Sequence, residues 1–191
     1  PAAEMTRPAD AFLRYDLPDS LKEHRGALLA VGMGLILTDR HTIRLFDSHR
    51  EGSDRHVDRL YRTVNFLADG ATLAVGLGGL WAASRGETRD TAALALTALG
   101  NATVATTLVK GLVGKQRPDE SGEPHYRGPS LVFSSFPSGH TAAATSVAHV
   151  LAVRHPRQKA LWYGFAAAVA VSRVSASKHW LSDTFWGAGL G

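Results

Sequence analysis

The chain has 191 residues, 45% hydrophobic and 20% charged, which excludes general disorder and suits a single domain with a real core. Its formal charge of +4 comes from basic residues scattered among acids, without the run that would track a nucleic-acid backbone. Nucleic acid is therefore excluded as an expected partner, and anionic substrates or membrane surfaces are weakly favoured. No cysteine is present, which removes disulfide, thiolate and zinc-thiolate chemistry.

Residues 1–18 mix Pro, Asp and Arg with isolated apolar side chains and read as an N-terminal arm; residues 19–191 read as one helical domain. No charged n-region and apolar h-region open the chain, so a secretory signal is expected to have been removed or never present, and the apolar stretch ending at Gly191 suggests a trimmed C-terminus. A start signal at Pro18-Asp19-Ser20 precedes a core helix to Leu37. The Arg-, His- and Asp-rich segment Asp39 to Asp54 is expected to lie in solvent as a connection. Val57, Leu60, Tyr61, Val64, Leu67 and Ala68 then repeat at helical spacing opposite Asp58, Arg59 and Arg62, predicting one buried face and one wet face.

Gly70 to Ser84, followed by the polar break Arg85 to Asp90, reads as a continuation of that helix or a separate helix ending at Gly86, and Thr91 to Val109 runs nineteen residues without a charge. That length fits a membrane crossing, while its Thr, Asn and Gly residues suit tight packing inside a bundle equally well. The loop Gln116 to Phe136 is long enough to suggest a functional rim. Helices are predicted over Thr141 to Val153 and Ala160 to Val174, joined by Arg154-His155-Pro156-Arg157, with a last helix opening near Ser177. No strand pattern or internal repeat is evident, and the fold class is all-α, a bundle of about six core helices with its site at helix ends.

Three clusters carry chemistry. In Phe136-Pro137-Ser138-Gly139-His140, Pro137 fixes its own φ, Gly139 lets the backbone approach a ligand, and the free N–H groups of the following helix start attract an oxyanion. Lys110 and Arg117 are seven apart at the end of the long apolar helix and would share a face if the helix continued. His179 and Asp183 are spaced i,i+4, neighbours on one helix face, and a carboxylate beside imidazole fixes its tautomer and leaves the other nitrogen free as a nucleophile. Trp180 between them reads as a packing anchor. His41, His49, His56, His125, His149 and His155 lack such a setting and read as surface or loop residues.

Taken together, Lys110-x₆-Arg117-Pro118, then Pro137-Ser138-Gly139-His140, then Ser172-Arg173-x₅-His179-x₃-Asp183 resemble the type 2 phosphatidic acid phosphatase (PAP2) superfamily. That superfamily also contains class A acid phosphatases, glucose-6-phosphatase and vanadium-dependent haloperoxidases. All three motifs are complete within residues 110–183. The resemblance implies that Lys110, Arg117 and Arg173 grip a phosphate together with the Ser138 hydroxyl and the Gly139 N–H. It implies that His179 attacks phosphorus to give a phosphohistidine, that Asp183 orients it, and that His140 protonates the leaving oxygen and then activates water. Such a site needs no metal or other cofactor and is expected to bind vanadate as an inhibitor or transition-state mimic.

The implied substrates are phosphorylated lipids or small soluble phosphate monoesters and diphosphates. Two alternatives stand beside the phosphatase: a vanadium-dependent haloperoxidase, with His179 as ligand, and a non-catalytic helical protein that binds anionic lipid headgroups. The mean hydropathy of −0.07 is low for a chain living mostly in lipid. Gly26 to Thr38, Thr141 to Val153 and Ala160 to Ser172 are each thirteen residues without Asp, Glu, Lys or Arg, about 20 Å of helix against a hydrocarbon core of roughly 30 Å. An extracytoplasmic domain, periplasmic or secreted, soluble or peripherally attached to a membrane surface, is the expectation, with an integral membrane form as alternative.

Overall fold

Eight α-helices succeed one another in the computed structural model, which describes residues 19–50, 55–130, 132 and 134–191. The expected N-terminal arm lies outside the described residues. The first helix, α1, spans Asp19–Arg50, so the segment expected to be a solvent connection is helical as far as Arg50. No Gly or Pro interrupts residues 39–50, and Asp39, Ile43 and Phe46 recur at i, i+4 and i+7, one face of a helix. Asp39 and Ile43 are buried there, Ile43 packing with Val174 and Trp180.

Helix α2 (Arg55–Leu67) and helix α3 (Gly70–Ala83) meet at a 58° bend. Asp69 makes the bend by capping α3: its Oδ1 accepts from the N–H groups of Ala71 and Thr72 at 3.0 and 3.1 Å. The predicted buried face of α2 is covered only in part. Val64 packs on the core cluster of Ala68, Ala144, Ala148, Ala166 and Val169, but Val57, Leu60 and Leu67 remain exposed.

Helix α4 (Gly86–Val113) contains the uncharged run. It ends at Gly114, whose φ of 57° is left-handed and whose N–H returns to the Lys110 carbonyl. A Cβ at Gly114 would lie 1.9 Å from the Gly128 carbonyl oxygen, so only glycine permits the following loop to fold back over the helix end. The loop contains the short helix α5 (Pro118–Ser121).

Helix α6 (Gly139–Arg154) is the centre of the bundle, packing against α4, against α7 (Lys159–Ser175) and against α8 (Leu181–Leu190). Its buried face is Thr141, Ala142, Ala143, Ala144, Ser146, Val147, Ala148 and Ala152. Small side chains there let neighbouring helix axes approach closely, so dispersion contacts are made by backbone as well as side chains. The connection α6–α7 is a 3₁₀ turn at Pro156–Gln158. Helix α8 starts at Leu181, later than expected, because the chain after α7 first makes a turn with Ser177 at φ 53°.

Candidate active site

The N-terminus of α6, the C-terminal ends of α4 and α7, and the start of α8 converge, and between them they bring the three motifs together. Ser138 is the N-cap of α6: its Oγ accepts from the Thr141 N–H at 3.4 Å and from the Thr141 hydroxyl at 3.0 Å. The Ser138 N–H in turn donates to the Asp183 carbonyl at 2.9 Å, joining α6 to α8. That contact requires Gly187, where a Cβ would stand 2.6 Å from the Ser138 carbonyl oxygen. The N–H groups of Gly139 and His140 lie in the first turn of the helix and have no intrahelical acceptor.

Lys110 and Arg117 do converge, but not along one helix face, because α4 stops at Val113. Both reach Ser134 in the rim loop: Lys110 Nζ donates to its carbonyl, and Arg117 Nη2 to its hydroxyl at 3.5 Å. Lys110 Cε also lies 3.8 Å from where a Cβ would sit on Gly139. Arg173, near the end of α7, is close enough to Arg117 and Lys110 for the three charges to repel one another. Among the described residues none of the three is ion-paired, and Arg173 Nε is buried without a hydrogen-bond partner. Three cations without an ion pair, close to a helix N-terminus, make a site for an anion with several oxygens.

His179 is buried, and its Nδ1 faces Asp183 Oδ2 at 3.5 Å. The pair does not arise from a shared helix face as the spacing suggested. His179 precedes α8, in a turn held by its own N–H and that of Lys178 on the Arg173 carbonyl. Asp183 belongs to the first turn of α8 and reaches back to the Trp180 N–H at 3.0 Å. Trp180 is the expected anchor, fully buried, with Nε1 donating to the Gln116 carbonyl at 2.8 Å.

Burial lowers His179 to about 4, against the opposing pull of Asp183, so the imidazole is neutral near pH 7. His140 is likewise held down to about 4, first by burial and then by Arg173, with Asp69 pulling the other way and Lys110 and Arg117 reinforcing the depression.

Several residues of the site escaped the sequence reading. Asp69 stands with Oδ2 3.9 Å from His140 Nε2. Ser135 donates its hydroxyl to Asp183 Oδ2. Lys115 donates to Asp183 Oδ1 and Asp39 Oδ2, both at 2.7 Å. Burial alone would lower the Lys115 ammonium, but Asp183 and Asp39 hold it above its usual value. Only Lys115 left a local trace, as a charged residue in the gap between Lys110 and Arg117. A groove of 690 Å³ between α1, α2 and α7, lined by Phe46, Tyr61, Arg62 and Val171 among others, contains none of the motif side chains.

This constellation is that of a phosphoryl-transfer enzyme built on helices, and residues 91–191, more than half of the chain, match the family model described as PAP2 superfamily. The chain belongs to the PAP2 superfamily and is a phosphatase of that type. Its fold is similar to that of LpxE from Aquifex aeolicus, with a TM-score of 0.60 and 24% identity over 77% of this chain and 87% of that one. It is also similar to a transmembrane PAP2-type phosphatidylglycerolphosphate phosphatase from Bacillus subtilis, with a TM-score of 0.57 and 17% identity over 86% and 88% of the two chains. At these identities the likeness is one of fold. No curated protein matches the sequence.

The surface bears on the expectation of a soluble or peripherally attached domain and favours attachment to a membrane. Helix α4, 28 residues long, is long and apolar enough to cross a membrane, as is the bent pair α2–α3 taken together. On α4, Leu94, Val104, Leu108 and Leu112 are exposed, as are Val75, Leu80 and Trp81 on α3. In water such a surface would be costly; these side chains favour membrane association.

Proposed function

We propose that the protein hydrolyses phosphate monoesters or diphosphates of lipids by a metal-independent, phosphohistidine mechanism, in a single domain spanning residues 19–191 that sits in a membrane. The observation that carries the chemistry is the set of three cations without an ion pair, Lys110, Arg117 and Arg173, beside the buried His179 and the half-buried His140. The cations would hold the three non-bridging oxygens of the phosphoryl group, where negative charge is greatest in the transition state. Arginine supplies a planar fork matched to two such oxygens, and the Gly139 N–H a further donor.

His179 Nε2 forms a bond to phosphorus as the bond to the leaving oxygen breaks, and His140 gives that oxygen its proton. Asp183 stabilises the positive charge that develops on His179. In the second step His140 takes a proton from water, the hydroxide attacks phosphorus, and the N–P bond breaks to release phosphate and restore His179. Both Asp183 oxygens already accept from Lys115, Ser135 and Trp180. They leave no carboxylate pair to hold Mg²⁺, whose ordinary ligands are oxygens.

Lipid substrates are supported by the exposed apolar helices and by the similarity of fold to a transmembrane phosphatidylglycerolphosphate phosphatase. We place the site on the extracytoplasmic side, where a chain without cysteine is indifferent to an oxidising medium. The test is a phosphate-release screen over lipid and soluble monophosphates and diphosphates, with and without detergent, using His179→Ala as control. Faster release from lipid phosphates, lost in the variant, is the expected result. Release confined to soluble esters would overturn the lipid reading, and undiminished release by His179→Ala would overturn the mechanism.

A further inference from the structure

Behind the His179–Asp183 pair lies a second layer of charge that the motifs do not contain. Lys115 Nζ has three protons and three acceptors: Asp183 Oδ1 at 2.7 Å, Asp39 Oδ2 at 2.7 Å and Ser182 Oγ at 2.9 Å. The side chains of Lys115, Asp39 and Asp183 are all fully buried. Asp39 comes from α1, outside the residues matched to the family, and its Oδ1 accepts the Ser182 N–H at 3.1 Å, which ties α1 to the first turn of α8.

A buried ion triad is poor value as a stabiliser, because desolvation of the charges offsets their attraction and apolar residues of similar volume do as well. Its position suggests another use. Lys115 occupies one oxygen of Asp183, and the other, which accepts from Ser135 and the Trp180 N–H, is turned toward His179 Nδ1. Asp39 shares the ammonium charge, so Asp183 is not neutralised and can still answer charge that develops on the imidazole.

We propose that Lys115, braced by Asp39, is a positioning residue that presents Asp183 to His179 and thereby sets the rate of phosphoryl transfer. The proposal rests on the reading of His179 as nucleophile. All three Lys115 protons are taken by Asp183, Asp39 and Ser182, leaving none for a phosphate oxygen, so its effect belongs in kcat and not in KM.

The test is a double-mutant cycle on the full chain in detergent, with Lys115→Met, Asp183→Asn and the pair combined, beside His179→Ala. Lys115→Met is expected to lower kcat roughly 10–100-fold, as for other groups that orient a functional histidine, with KM within about threefold of wild type. Asp183→Asn is expected to lose more, and the combined variant to be no slower than Asp183→Asn alone. If Lys115→Met folds poorly because two carboxylates then face each other, Lys115→Met/Asp39→Asn removes that repulsion and is measured in its place, in both Asp183 backgrounds. Losses that multiply, or a Lys115 variant whose folded fraction keeps wild-type kcat, would overturn the inference. Activity surviving in His179→Ala would instead overturn the nucleophile assignment, so the two failures are told apart.

Discussion

Asp69 Oδ2 stands 3.9 Å from His140 Nε2 while the other oxygen of the same carboxylate caps α3. One side chain thus fixes the start of a helix and places negative charge beside the proposed acid. Asn caps helices as well as Asp does, so Asp69→Asn separates the two roles. The variant is expected to keep the wild-type melting temperature within a few degrees and to lose roughly 3–10-fold in turnover, because a neutral neighbour no longer favours protonated His140. Unchanged turnover on an alkyl phosphate would show that the charge is without effect.

The two histidines are expected to respond differently to removal. His179→Ala should abolish turnover, whereas His140→Ala should lose about 10²–10⁴ in rate, with a smaller penalty on p-nitrophenyl phosphate, whose leaving group needs no proton. Steady-state rates on aryl and alkyl esters measure this, and equal penalties on both would remove His140 from the role of acid.

Both histidines are held near 4 without substrate. His179 attacks only when neutral and His140 donates only when protonated, so kcat/KM is expected to fall on both sides of about pH 4. A bound phosphate brings negative charge among Lys110, Arg117 and Arg173, cancels their repulsion of His140 and raises it. The alkaline limb of kcat should therefore lie at higher pH than that of kcat/KM. Coincident limbs would show that the bound anion does not act on His140.

Orthovanadate should inhibit competitively, since the cations and His179 that bind phosphorus in a trigonal-bipyramidal transition state also suit vanadate. Chelators should leave the rate unchanged. Loss of activity in EDTA, restored by a divalent ion, would contradict a metal-free reaction.

Membrane insertion is tested on the exposed face of α4. Leu108 is 64% exposed, so in a soluble protein Leu108→Lys should change stability by no more than about 0.5 kcal/mol. Facing hydrocarbon, a lysine has an apparent cost of about 2.5–3.5 kcal/mol at a helix centre and less at Leu108, near the end of α4. Wild type should resist carbonate extraction, and the variant should insert poorly. Recovery of wild type from the soluble fraction without detergent would reject the membrane reading.

The helices and the motif residues were legible in the sequence because each is written locally. Apolar periodicity marks α2, uncharged apolar runs mark α3, α4, α6 and α7, proline and glycine mark the loop, and Ser138-Gly139-His140 marks a helix start. Helix boundaries were less legible: α1 runs on past Asp39 because Ile43 and Phe46 find Val174, Trp180 and Leu181 to pack against, partners more than a hundred residues away. For the same reason nothing local distinguished Asp39 or Asp69 from the many solvated carboxylates. Their significance depends on Lys115 and His140, which only chain packing brings to them. The long uncharged run of α4 posed the sharpest ambiguity, since a membrane crossing and a buried core helix share composition and length. Tertiary structure favours membrane association, because small side chains on α6 fill the bundle interior and leave the large apolar ones of α4 facing outward.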